Sequence, residues 1–225
     1  MKALIHFWLF VALALLPAQG QGILSLAGSP PAAGGGAWGS PTTTLYSTDA
    51  EGTGTPAGWT DTGAPNWDAT DQFKIGAQSF KVEPGKYSKA PNIDGSEIWL
   101  NFWFRAATFP ASAQGIFKGF NSGFGATLGV TLSATGELAL LDAGVAPATT
   151  SAISTDTWVY VSVYYLKGTG ANSVGKIAWS TDGSSPSSGA QYATYTNGIA
   201  ATNIVHTYWS GETVSWYDDI SAKAP

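Results

Sequence analysis

Cysteine is absent from this chain. No disulfide can staple the fold, so stability has to come from packing or from a bound metal. Charge is scarce as well. Charged residues make up 11% of the chain, the formal net charge is −5, and the lysines and arginines total 10 and are scattered. That excludes the polybasic surface on which nucleic-acid binding depends. Long apolar runs are limited to Ala3–Leu16, interrupted by His6. This run is shorter than the ~20 residues of a membrane span, and no later segment approaches it. Helical periodicity is missing after that run. There is no serine or cysteine nucleophile in a strand-to-helix elbow, no His/Cys metal cluster and no phosphate-cradling glycine loop. The low charge does not mean disorder, because 44% of the residues are hydrophobic.

What is present describes an exported β protein. Lys2, the apolar run, Pro17 and then Ala18-Gln19-Gly20 have the layout of a secretory signal over residues 1–20. Cleavage after Gly20, or a few residues later near Ala27, would release a secreted or periplasmic protein. Residues 21–41 are rich in Gly, Ala, Pro and Ser and include Gly34-Gly35-Gly36. They read as a flexible arm in which Trp38 is a candidate to dock on the domain. Residues 42–225 are long enough to bury their own core.

Within that domain, short alternating segments are separated by turn signals. Strands are expected at Thr43–Ser47, Ala77–Val82, Glu97–Ala106, Gly115–Phe120, Ala126–Leu132, Glu137–Leu141, Trp158–Leu166, Lys176–Ser180, Ile204–Ser210 and Thr213–Ala222. This spacing predicts an all-β fold, a two-sheet antiparallel β-sandwich of the jelly-roll type. Trp59 and Trp158, at strand entries, are expected in the core.

The segment Ile98–Arg105 is the most informative. Strand alternation places Ile98, Leu100, Phe102 and Phe104 on a core face and Trp99, Asn101, Trp103 and Arg105 on the other. Two indoles, an amide and the chain's single arginine suit a sugar, whose C–H faces stack on rings and whose hydroxyls need polar partners. Tyr160 and Tyr164 leave the valine face of their strand in the same way. Should the two strands be neighbours, four rings would line one surface. The competing reading is that loops or a second layer cover this face.

Four stretches, in order, resemble the concanavalin A-like lectin/glucanase superfamily, in particular its laminin-G-like branch in secreted bacterial proteins. They are Tyr46–Gly52 followed by Pro56-Ala57-Gly58-Trp59, then Gly76–Val82, Thr155–Trp158 and Trp216–Ile220. The resemblance spans nearly the whole domain and implies the same sandwich. It also implies one structural calcium near the chain ends, with Glu51 and Asp218 at the matching positions and Asp49 as an extra ligand. From the residues alone, period two places Asp218 on the side of Trp216 and Ile220. A carboxylate buried there needs a metal or a set of hydrogen bonds, and backbone N–H groups of a neighbouring loop are the alternative to calcium.

Hydrolases of the superfamily carry Glu-x-Asp-x-x-Glu on one strand, and this chain has no such spacing. A lyase would need a base and a cation for the uronate carboxylate. His206 and Tyr208 share a strand face, with Arg105 elsewhere, and an ordinary polar strand face is the simpler reading of that pair. The expectation is therefore a secreted, calcium-stabilised module that binds a polysaccharide or other glycan without catalysis. A polysaccharide lyase or glycoside hydrolase of the same fold, and a structural or adhesion protein that decorates a particle, are the alternatives.

Overall fold

Strand β6 (Glu97–Ala106) is hydrophobic on both sides, and the fold follows from that. Ile98, Leu100, Phe102 and Phe104 are buried at 0–1% exposure on one side, and Trp99 and Trp103 are buried on the other. A strand of this kind belongs in the middle of a sheet that is covered on both faces.

The computed structural model describes Trp38 and residues 41–142, 145–168, 174–183, 188–193, 203–211 and 213–225. The expected export signal, residues 1–20, and the arm, residues 21–41 apart from Trp38 and Pro41, lie outside the described residues. Among the described residues no helix is long and apolar enough to cross a membrane.

Two antiparallel sheets form a β-sandwich of the jelly-roll type. The eight-stranded sheet runs β13 (Ser188–Ala193), β12 (Val174–Ser180), β11 (Val159–Leu166), β6, β15 (Ser215–Ala224), β4 (Ser79–Val82), β3 (Asn66–Ala69), with β1 (Thr43–Thr48) also paired to β15. The seven-stranded sheet runs β10 (Val145–Ala152), β9 (Glu137–Asp142), β8 (Ala126–Leu132), β7 (Gln114–Phe120), β14 (His206–Gly211), β5 (Lys86–Lys89), β2 (Thr60–Thr62).

The core lies between the sheets. Phe80, Phe102, Phe104, Val161, Val163 and Tyr217 of one sheet meet Phe117, Val130, Leu138, Leu140 and Trp209 of the other. Trp209 is central, with edge-on contact to Phe102 at 4.8 Å and a tilted contact to Phe117 at 4.9 Å. The Tyr217 hydroxyl lies 2.7 Å from the Ser210 carbonyl and 3.1 Å from that of Ile116, so it ties β15 to both β14 and β7 across the core.

The turn between β8 and β9 requires its glycine. Gly136 has φ +88°, and a Cβ there would come within 2.6 Å of the Phe109 ring and 2.8 Å of the Ile153 carbonyl.

The strong strands stand where alternation placed them, and β6 and β8 match to the residue. Strands β2, β3, β5, β10 and β13 were not expected. The first three have three or four residues each, too few to show a period, and β5 is a lysine-flanked Lys-Tyr-Ser-Lys. Trp59 is a core residue, but Trp158 is only half-buried.

The closing strand departs from simple alternation. A bulge between Asp218 and Ser221, with Asp219 at φ +45°, lets Tyr217 and Ile220 both face the core. Trp216 instead faces outward beside Arg105, so the expected inward grouping of Trp216, Asp218 and Ile220 does not occur.

Candidate ligand-binding faces

The outer face of the eight-stranded sheet brings the predicted ring residues together. β6 and β11 are neighbours in a register that sets Trp103 opposite Tyr160, Asn101 opposite Ser162 and Trp99 opposite Tyr164. The Trp99–Tyr164 and Trp103–Tyr160 ring centroids are 5.1 and 5.2 Å apart.

This layer is covered. Trp103 is 5% exposed, Trp99 8% and Tyr164 9%. The Trp99 indole N–H donates to the Trp38 carbonyl. The Lys74 ammonium sits 4.4 Å from the Trp103 ring centroid, and Gly183 packs so closely that an added Cβ would be 2.8 Å from Trp103 Cζ2.

Asn101, Ser162, Tyr164 and Arg105 on this face have partners within the chain. Ser162 donates to the Asn101 side chain at 2.9 Å. The Tyr164 hydroxyl donates to Glu97 at 2.9 Å; burial first, and then the Glu97 carboxylate, push its pKa up to about 12. Arg105 pairs with Asp156 at 2.9 Å and lies over the Trp216 ring at 5.0 Å, while Lys81 lies near the same ring at 5.2 Å. Two cations thus flank one indole, whose own N–H donates to Asp71 at 3.1 Å. Of the six residues Trp99, Asn101, Trp103, Arg105, Tyr160 and Tyr164, the first, third and last are buried in a second packed layer, and Asn101, Arg105 and Tyr160 are half-buried at its surface.

The carboxylates that the resemblance assigned to calcium are also engaged. Asp218, fully buried, accepts the backbone N–H groups of Lys74 (2.9 Å) and Ile75 (2.8 Å) on one oxygen and that of Asp219 (2.8 Å) on the other. Glu51 accepts N–H groups from Ala77 and Gln78 at 2.9–3.1 Å. A Cβ on Gly76 would overlap the Glu51 carboxylate, so glycine at φ +68° is what lets the loop fold onto it. Burial, with Glu51's charge as a smaller contribution, raises the Asp218 pKa, and the three N–H groups work against that rise.

Amide protons aimed at both carboxylates oppose a cation where Ca²⁺ would need oxygens. Among the described residues there is no group of three or more His, Cys, Asp or Glu side chains positioned for a metal. Residues 74–78, Glu51 and Asp218 do not fit a calcium site. They form the hydrogen-bonded loop that was the alternative reading of Asp218.

The outer face of the seven-stranded sheet is different. Tyr208 of β14 lies directly opposite Lys118 on β7 and Lys89 on β5. Directly opposed residues project from the same face, so the row reads Lys118–Tyr208–Lys89. Neither lysine has a carboxylate partner among the described residues. Tyr208 also touches Phe120 and the exposed Tyr87 edge-on, at 5.5 and 5.7 Å.

His206, two residues from Tyr208 on that face, has Nδ1 2.9 Å from the Asn92 side-chain oxygen. An amide oxygen only accepts, so Nδ1 carries the proton and Nε2 keeps its lone pair. Burial, and secondarily the Lys89 charge, lower the His206 pKa and keep the ring neutral near pH 7. Phe124 stacks on the imidazole at 4.3 Å with planes 8° apart. Arg105, weighed as a partner for His206 and Tyr208, belongs to the outer face of the other sheet and cannot join them. The lysines that do flank Tyr208 were missed because Lys118 and Lys89 are far apart in sequence and β5 was not recognised as a strand.

No protein-family model matches the chain, and no curated protein matches it. Solved structures of similar fold do exist. The PL-14 alginate lyase from Aplysia kurodai aligns with TM-score 0.52 at 13% identity, over 82% of this chain and 100% of its own. The binding domain of botulinum neurotoxin serotype D aligns with TM-score 0.53 at 10% identity, over 81% of this chain and 48% of its own. An engineered GH43 glycoside hydrolase with endo-xylanase and exo-arabinofuranosidase activity aligns with TM-score 0.51 at 12% identity, over 84% of this chain and 42% of its own. This chain therefore spans less than half the length of the last two. At these identities the likeness is one of fold.

Proposed function

We propose that this protein binds an acidic polysaccharide across the outer face of the seven-stranded sheet. The observation that supports it best is the row Lys118–Tyr208–Lys89, in which two lysines without carboxylate partners among the described residues flank a tyrosine. Neighbouring strands are about 4.8 Å apart, so the lysine backbones are about 10 Å apart. That is close to the length of two extended pyranose rings, and uronate carboxylates along a chain crossing the strands would meet both cations. Tyr87, Tyr208 and Phe120 supply rings beneath the sugar faces. The fold neighbour named for cleaving alginate makes an acidic polysaccharide the first class to try.

The test is calorimetric titration with a panel of acidic and neutral oligosaccharides. Binding confined to acidic ones, and lost in Lys118→Ala and Lys89→Ala proteins that keep their melting temperature, is expected. Equal affinity for neutral glycans would defeat the reading.

A second reading, β-elimination at the same face, is favoured by His206 and Tyr208. They lie about 7 Å apart along one strand, and Nε2 of His206 is a free base. In such a reaction the base takes the proton α to the uronate carboxyl. The C–H electron pair becomes the new C=C bond as the adjacent C–O bond breaks, and the departing oxygen receives a proton from the tyrosine hydroxyl. The lysines would neutralise the carboxylate. Ultraviolet absorbance of an unsaturated product, lost in Tyr208→Phe, separates this from binding alone.

Two finer readings remain with these: membership of the laminin-G-like branch, and export through residues 1–20. N-terminal sequencing of the mature protein tests the second.

A further inference from the structure

We infer that the outward face of Phe124 is a stacking subsite for one sugar ring, a reading that rests on the glycan assignment above. Phe124 lies in the turn joining β7 to β8. That turn is closed by the Asn121 N–H donating to the Gly125 carbonyl (2.9 Å) and by the Phe124 N–H donating to the Asn121 carbonyl (3.0 Å). The Asn121 side chain accepts the N–H groups of Gly123 and Gly125, each at 2.9 Å.

The rigid turn holds Phe124 at φ +59°, in the left-handed region. A bulky side chain there is strained, whereas Asn or Gly would sit without that strain. The side chain is also 59% exposed, the most exposed large hydrophobic among the described residues. Strain and exposure together are unfavourable for folding, and residues held this way cluster at ligand sites.

The ring's geometry suits a ligand. One face lies flat on the ring of His206 in β14, whose orientation the Asn92 side chain fixes. With Phe124 59% exposed, the opposite face is the one open to a ligand. Phe120, opposite His206 in the sheet, carries the aromatic surface from there to Tyr208 and Tyr87. A sugar chain held at Lys118 and turning along β7 past Phe120 would meet the Phe124 ring at the end of that surface.

The experiment uses alginate and polygalacturonate hexasaccharides as probes, titrated at low and high salt against wild type, Phe124→Asn, Phe124→Tyr and Lys118→Ala. Loss of a stacking ring should weaken binding roughly fivefold to tenfold. Stacking does not depend on ion screening, so the Phe124→Asn loss should be the same at both salts, while the Lys118→Ala loss should shrink as salt rises. Phe124→Tyr should bind like wild type. Phe124→Asn should melt no lower than wild type, and its His206 ring should titrate closer to the ordinary value by NMR.

A Phe124→Asn protein that binds both probes as tightly as wild type overturns the subsite. Absence of wild-type binding to either probe overturns the subsite together with the glycan reading. A silent Lys118→Ala beside a weakened Phe124→Asn keeps the subsite and removes the lysine basis of the glycan reading.

Discussion

On the outer face of the eight-stranded sheet, Arg105 lies between Trp216 and Asp156, and the tryptophans around it are buried. On the outer face of the seven-stranded sheet, Lys118 and Lys89 stand on either side of Tyr208 and meet no carboxylate among the described residues. Both faces combine rings with cations. On the first, Asp156 pairs with Arg105, Lys74 lies over Trp103, Lys176 lies over Tyr164 and the Trp38 carbonyl takes the Trp99 N–H, so cations and rings there are engaged with one another. On the second, Lys118 and Lys89 meet no carboxylate among the described residues, and it is this that the glycan proposal uses. The same residue types occur on both faces; what differs is what each touches.

The sharpest way to break this contrast is to delete a ring from each face. Trp103→Ala should cost about 3–5 kcal/mol of folding stability, because it empties a buried layer. Tyr208→Ala should cost far less stability but abolish most glycan affinity. Denaturant melts paired with titrations read both, and a well-folded Trp103→Ala protein with weakened binding would return the site to the eight-stranded sheet.

Asp218→Ala should destabilise by about 1–3 kcal/mol, since it orphans the N–H groups of Lys74 and Ile75. Excess EDTA should leave the wild-type melting curve unchanged. A fall in melting temperature on chelation, abolished in Asp218→Ala, would restore calcium to this loop.

A smaller effect concerns pH. The folded state lowers the His206 pKa below its ordinary value of 6.5, chiefly through burial. The unfolded chain therefore binds a proton that the folded one resists. This contribution to stability is fully present above pH 6.5 and is lost as the pH falls from there through the lowered folded-state value. Melting temperatures across that window should drop less in His206→Gln than in wild type.

The smallest expected change lies beneath the proposed site. The Thr207 hydroxyl is buried beside the Tyr46 hydroxyl, which the Trp209 indole N–H also approaches, but none of the three reaches good hydrogen-bond geometry, and the Ser88 hydroxyl is buried without a partner. Thr207→Val should be neutral or stabilising by up to about 1 kcal/mol. A clear loss in a chemical melt would mean that this hydroxyl is satisfied in solution, for instance by an internal water.

Alternation along Ile98–Arg105 and Val159–Leu166 was enough to predict two core faces and which rings leave them, because side-chain direction in a strand is a local property of period two. The sandwich class followed from the spacing of about ten such segments, and that β6 and β11 are neighbours was left to the structure. Whether those rings were open or covered was not local. It depended on Trp38, Lys74 and Gly183, which are distant in sequence and arrive through loops whose paths no periodicity encodes. The bulge at Asp219 likewise turned Trp216 outward with no signal in Trp216–Ile220. The row Lys118–Tyr208–Lys89 existed only after β7, β14 and β5 were in register. Backbone hydrogen bonds between strands set that register, and they join residues by sheet order rather than by sequence distance.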